Sequence, residues 1–429
     1  MTAGRRALVL VIDGLGIGAM EDVAYTRPQD KGANTLGHVV KATGVELPTL
    51  TTLGLGNTLA MSGWYQTLGE AERADFALRP VPRPPSWWGR SALAYEGADS
   101  FAGHQEIMGT ILRGGKRVLF REVSPRVEMA LKRAGYRVEV LDEHSGRPLL
   151  VEGSVVVADN IEAEPGLGYN LTVPLDEIRF EEAVRMAEVV RSVVEVRRVI
   201  VFGSTGYGVD RILQHIENRA TGQTGVNSPA LGAYDEHFKV RHLGYGVDPR
   251  QQLPACVKKA GGRVALIGKM ADVIDSPADF RNNTADTGHV LELVRREWQA
   301  TEYGLVAATV QETDLAGHEG DASRYARVLR MVDAWLQSFI PLLESGDALI
   351  ITADHGNDPV TGTGDHTREY VPVIVLVGGG PIQGNHPGSR MCLGTRTCLS
   401  DVAATVARFL GTSAPPDGQS LSIALDRAL

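Results

Sequence analysis

The 429-residue chain holds only three cysteines, Cys256, Cys392 and Cys398. The number is odd and the spacing fits no metal site, so a reducing, cytoplasmic setting and packing roles are expected. The chain has no run of about 18 apolar residues, so no membrane-spanning helix is expected. The apolar run Ala7 to Ile12 follows two arginines but ends at Asp13. It is too short for a secretory core and reads as a first buried strand. Nor is there a basic stripe: the net charge is −9 and the pI about 5.7, which argues against a nucleic-acid partner. No internal repeat or low-complexity tract appears. What the chain does have is 43% hydrophobic residues over a length that suits two domains, or one large domain with an insertion.

The first strand runs into Asp13-Gly14-Leu15-Gly16-Ile17-Gly18. A dinucleotide fingerprint would need a glycine at its sixth position, and a carboxylate at the strand tip repels a pyrophosphate. An acid beside glycines suits a metal ion; the plain alternative is an aspartate capping the next turn. Residues 32–38 read as a loop entering a helix, and 79–89, rich in proline with two tryptophans, as an ordered surface loop. In 96–109, Asp99 or Ser100 can cap a short helix. Equally, a serine at a helix N-terminus lies where the backbone N–H groups favour phosphate.

From 119 to 243 the strands become half-exposed or charged, as at 136–141 and 154–159, with a helix over 180–194 and a strand over 199–202. This stretch reads as an inserted α+β domain, set in a core formed by 1–118 and 244–429. In that core, apolar strands at 263–268, 304–310, 348–351 and 371–377 alternate with helices at 287–298 and 400–410. Another helix carries an apolar stripe of Tyr325, Leu329, Val332, Leu336, Phe339 and Leu343. The expected fold is therefore α/β, a mostly parallel sheet covered on both faces.

Strand ends in such a sheet converge on one edge. They carry Asp13, then Asp314 with His318, then Asp354 with His355, and His366 beyond a glycine-rich loop. Three aspartates and three histidines are too many for one tetrahedral zinc and suit two divalent ions, as in phosphoryl transfer. Ser100 then becomes the candidate nucleophile, because a hydroxyl beside cations ionises more easily.

The segments VIDGLGIGA, GANTLGH, GHQEIMG, IGKMADV, DLAGH and TADHGNDP with GTGDHTREYVPV resemble phosphopentomutases. These are members of the alkaline phosphatase superfamily, related to cofactor-independent phosphoglycerate mutases. The resemblance covers about two thirds of the chain, the core at both ends, and implies an alkaline-phosphatase-like core with an inserted cap. It implies two Mn²⁺ ions, with Zn²⁺ or Mg²⁺ as alternatives. Asp13, Asp354 and His355 would bind one, and Asp314, His318 and His366 the other. Ser100 stands where the family has threonine and would be the phosphorylated residue. The chain departs from the family in three further respects. Asp314 and His318 are four apart instead of five, Ala98 replaces a lysine, and the arginine-bearing motif that grips the far phosphate has no match near Asn227 to Tyr234. Lys269 matches, and Asp159 would keep a sugar contact. Arg368 would contact a phosphate or pair with Glu369, and His104 would orient the nucleophile loop or satisfy a carbonyl. The resemblance thus implies a phosphomutase acting on a small phosphorylated sugar, of the ribose 1-phosphate to ribose 5-phosphate type. The alternatives are a mutase for another substrate, a phosphatase on the same core, or a non-catalytic, metal-stabilised binding protein. No oligomeric state is implied.

Overall fold

The structure, a computed structural model, describes residues 5–163, 165–233, 235, 237–378 and 391–421; Tyr234 lies outside them. The chain divides into two compact units, Met1–Ile111 with Asp248–Leu429, and Leu112–Val247.

The first unit is built on a sheet whose order is Phe280–Asn282, Arg263–Ile267, Gly304–Val310, Arg6–Ile12, Asp347–Thr352, Val371–Val377, Trp87–Ser91, Cys392–Arg396. Every neighbouring pair is parallel except the two made by Val371–Val377. That strand therefore runs against all the others. The central strand is buried on both faces, with Ala7 to Ile12 fully enclosed, which is why it reads as an unbroken apolar run. Helix Ala322–Phe339 packs its expected stripe inward, but Leu343 lies beyond the helix. Pro341 turns the chain into a 3₁₀ segment, Ile340–Leu342, because it cannot donate the next helical hydrogen bond.

Register explains how the sheet gathers distant residues. Ile12 pairs with Val310 and Val11 with Thr352, so these three strands end together. The reversed strand serves the same edge from the other direction. It begins where its neighbours end, so residues 353–370 stay at that edge and bring His366 back to it. The expected loop at 79–89 holds for 79–86 and is corrected at its end: Trp87–Ser91 is an interior strand, and it too ends at this edge, leading towards Ser100.

The second unit has its own six-stranded mixed sheet. Helices Phe120–Arg133 and Phe180–Val193 pack on one face through Phe120, Val127, Leu131, Met186 and Val190. Its ends extend beyond 119 and 243, because Lys116 and Tyr245 bond their backbone N–H groups to Glu195 and Arg197. The strand Gly168–Pro174 is buried throughout and has no alternation to mark it, so the sequence does not distinguish it from its surroundings.

Candidate metal centre and nucleophile

At the carboxyl edge of the first unit's sheet the structure brings together Asp13, Ser100, Lys269, Asp314, His318, Asp354, His355 and His366. His355 Nε2 lies 3.4 Å from Asp13 Oδ1 and 3.2 Å from Asp354 Oδ2. His318 and His366 place their Nε2 atoms 3.4 and 3.3 Å from the two oxygens of Asp314, and 3.1 Å from each other. Three groups of side chains have ligand atoms close enough to share an ion: Asp314 with His318 and His366, Asp13 with Asp314 and His355, and Asp13 with His104 and Asp354. The first is the grouping the resemblance implies. In the others Asp13 adjoins both His355 and Asp354, while Asp314 and His104 are added.

The histidines are held in a single orientation. The Nδ1 atoms of His318, His355 and His366 face the carbonyls of Gly364, Gly356 and Ala98 at 2.6, 3.0 and 2.9 Å. Each Nδ1 is therefore placed to donate to its carbonyl, and each Nε2 is the atom turned towards the carboxylates. Burial lowers the His355 imidazole, but Asp354, Asp314 and Asp13 outweigh it and push it up to about 10, so its Nε2 holds a proton that a bound cation would displace. Such a donor set fits a divalent cation. Charge supports the same conclusion. Burial, reinforced by Asp354, pushes the Asp13 carboxyl up to about 7. Burial also opposes ionisation of Asp354, but His355 and His104 outweigh it and hold Asp354 well below the usual range. Neighbouring buried carboxylates cannot all ionise cheaply without more positive charge than Lys269 supplies.

Ser100 is the first residue of helix Ser100–Ile107, capped by Asp99, whose carboxylate accepts from the Ala102 N–H. The cap is thus Asp99, and the Ser100 hydroxyl is left for the site. It donates to Asp354 Oδ2 at 2.6 Å and accepts from Lys269 Nζ at 3.1 Å. Lys269, expected at the substrate, pairs with Asp13 at 2.6 Å and Asp314 at 3.2 Å. Burial opposes its charge, but those aspartates and Asp354 prevail and raise its pKa.

Two residues expected at the substrate are bonded within the protein. Asp159 is buried in the second unit, where its carboxylate accepts from the Phe120 and Thr224 N–H groups. With both oxygens used on backbone, it is a clamp. Arg368 is buried as well; it pairs with Asp22, not Glu369, and donates to the carbonyls of Leu93, Tyr95 and Gly97. Glu369 accepts instead from Gly18, Thr35 and Thr367.

Asn357 escaped the sequence reading, whereas His104 was named there as orienting the nucleophile loop or satisfying a carbonyl. Asn357 holds Asp314 Oδ1 at 2.8 Å; its place in the HGND run was the available signal. His104, four residues along the helix from Ser100, meets the Ser100 carbonyl at 2.9 Å and Asp354 Oδ2 at 3.1 Å. Its Nε2 faces the Thr309 hydroxyl at 2.8 Å, so the ring bridges the nucleophile's helix and the acid.

An edge of converging strands, a histidine and aspartate donor set and a serine hydroxyl within it define a metal-dependent enzyme. The chain belongs to the Metalloenzyme superfamily, whose pattern matches residues 5–414, and within it to the phosphopentomutase-like proteins. The phosphopentomutase of Symbiobacterium thermophilum is 30% identical over 438 residues, covering 98% of this chain and 99% of that one. The phosphopentomutase of Desulfitobacterium hafniense is 28% identical over 447 residues, 97% of this chain and 98% of its own. A solved structure of Leishmania mexicana phosphoglycerate mutase aligns over 97% of both chains at 14% identity, with a TM-score of 0.43. No helix among the described residues is long and apolar enough to cross a membrane.

Proposed function

We propose that the protein is a metal-dependent phosphomutase of the phosphopentomutase type, interconverting ribose 1-phosphate and ribose 5-phosphate through a phosphorylated Ser100. The observation that carries this reading is the Ser100 hydroxyl, 2.6 Å from Asp354 within a buried donor set for divalent cations, in a chain similar to phosphopentomutases over nearly its whole length.

In the proposed cycle phospho-Ser100 gives its phosphoryl group to the free hydroxyl of the sugar phosphate. The Ser100 O–P bond breaks as the sugar O–P bond forms. The resulting bisphosphate turns over, and its other phosphoryl group returns to Ser100. Asp13, Asp354 and His355 would hold one cation and Asp314, His318 and His366 the other, with Mn²⁺ the proposed metal. Bound cations supply Lewis-acid charge that favours an ionised hydroxyl and offsets the charge of the transferring phosphoryl group. The chain's own part is to orient and neutralise. Asp354 accepts the Ser100 proton's hydrogen bond and fixes the direction of Oγ. Lys269 places an ammonium against the same oxygen, where negative charge develops. As the first residue of its helix, Ser100 lies at the end whose dipole favours a phosphate. The side chain of His318 is the most exposed of the donor set, so that side of the site is the proposed entry for substrate. Leu112–Val247 is proposed as the cap domain that selects the substrate.

Mass spectrometry of the purified protein should find a phosphate on Ser100. Ser100→Ala should abolish Mn²⁺-dependent isomerisation of ribose 1-phosphate, and full activity in that variant would overturn the proposal. Phosphate release without isomerisation would instead assign the site to a phosphatase.

A further inference from the structure

Arg368 lies two residues from His366 and takes no part in the proposed chemistry, yet its guanidinium is fully engaged. A guanidinium has five N–H donors in one planar fork. Here Nη1 donates to the carbonyls of Tyr95 and Gly97 at 2.7 and 2.8 Å, and Nη2 to that of Leu93 at 2.9 Å. The remaining Nη2 donor and Nε meet the Asp22 carboxylate, each at 2.9 Å. All five donors are used, three of them on alternate carbonyls of the segment that leads into Ser100.

That segment is held from two further directions. The carboxylate of Glu106 accepts from the Ala94 and Tyr95 N–H groups at about 3 Å. The next carbonyl along, Ala98, faces His366 Nδ1 at 2.9 Å. The Arg368 N–H in turn donates to the buried Asp30 at 2.8 Å, and Asp30 is paired with Arg27, whose guanidinium holds the His366 carbonyl at 2.9 Å. One loop therefore carries both an ion-binding imidazole and the fork that grips the nucleophile's approach.

We infer that Arg368 is a positioning residue: it locks the segment 93–97 to the His366 loop, and so sets the distance between the Ser100 hydroxyl and the metal centre. A lysine cannot replace it, because three donors at one point cannot span three carbonyls and a carboxylate. The role rests on Ser100 being the phosphorylated residue. It predicts a defect in turnover, not in binding, since a nucleophile displaced by about 1 Å costs on the order of 100-fold in rate.

The test compares Arg368→Ala, Arg368→Lys and Ser100→Ala with the wild type. Each is assayed for kcat and KM on ribose 1-phosphate, for Mn²⁺ affinity by electron paramagnetic resonance, and for folding by circular dichroism. Expected for Arg368→Ala is a kcat lower by about 100-fold, with KM and Mn²⁺ affinity within about threefold of wild type. Added guanidinium should restore at least about a tenth of the lost rate, because it can refill the fork's position. Arg368→Lys should be as slow as Arg368→Ala and should not respond to guanidinium. Wild-type kcat in Arg368→Lys would overturn the inference. So would a loss of turnover that tracks loss of Mn²⁺ and is not rescued, or the failure of both variants to fold, since each makes the residue a stabiliser only. If Ser100→Ala retains turnover, the proposed function itself fails. If Ser100→Ala is inactive while Arg368→Ala is fully active, only the present inference fails.

Discussion

At the scale of single residues, position in the chain and partners in space give different kinds of information. Asp13, Asp354 and His355 were legible as candidate ligands because a charged group at the end of an apolar strand suits ligation, whereas Asp314 lies in the helix Glu312–His318 that follows its strand. Asp159 has the same sequence context, an acid ending the strand Val155–Asp159, and a different job. Its partners, Phe120 and Thr224, are 39 and 65 residues away, and nothing local announces them. The clamp makes a prediction of its own. Burial pushes the Asp159 carboxyl up to about 6, although the two N–H groups pull it down. The folded unit therefore holds this proton more tightly than the unfolded chain. The contribution is full below about pH 4 and is lost as the pH rises through about 6. In Asp159→Asn the amide can accept from one N–H but turns its own NH₂ towards the other, which costs about 1–3 kcal/mol. Thermal melts should show a lower Tm for the variant, with the gap to wild type wider at pH 4.5 than at pH 7.5. A raised KM with an unchanged Tm would instead restore Asp159 to the substrate.

At the scale of elements, the strands that carry site residues were visible as apolar runs, but their directions were not. Hydrophobic pattern reports burial, and a strand buried on both faces has the same pattern whichever way it runs. The reversed strand Val371–Val377 is what returns His366 to the edge, and Trp87–Ser91 is what delivers Ser100. The second was hidden by its own composition, since adjacent prolines and a glycine mark a loop more often than a strand. Helix Ser100–Ile107 shows how closely these elements approach. A Cβ on Gly103 would stand 2.6 Å from the Asp354 carbonyl oxygen and 2.8 Å from its Cβ, and backbone on both sides cannot yield. Gly103→Ala should therefore push the helix from the acid, destabilise the protein by about 1–3 kcal/mol and reduce both Mn²⁺ affinity and turnover. Gly63, which begins a short helix with open space around it, is the control: Gly63→Ala should leave turnover unchanged and stability equal or slightly higher. Chemical denaturation and metal titration of the two variants distinguish a specific contact from a general intolerance of alanine in helices.

At the scale of the whole molecule, the division of labour between the units has a thermodynamic signature. The first unit contains the whole donor set, with Asp13, Asp354 and His355 fully enclosed, and so holds buried carboxylates that divalent cations would neutralise. The second unit has a core of its own around Phe120, Tyr169 and Val199, and none of the ligand groups found among the described residues. A cation that binds only the folded form stabilises it by RT ln(1 + [L]/Kd), about 2.7 kcal/mol at a hundredfold excess over Kd. That stabilisation belongs to whichever unit ligates the ion. Calorimetry of the full chain should therefore resolve two transitions, of which Mn²⁺ raises one and a chelator lowers the same one, while the other stays fixed. Asp314→Asn should abolish the metal response without moving the fixed transition, because that residue is shared by two of the three ligand groups. A single transition that rises with Mn²⁺ would mean that the units unfold as one, and no response at all would remove the metal centre from the protein's stability.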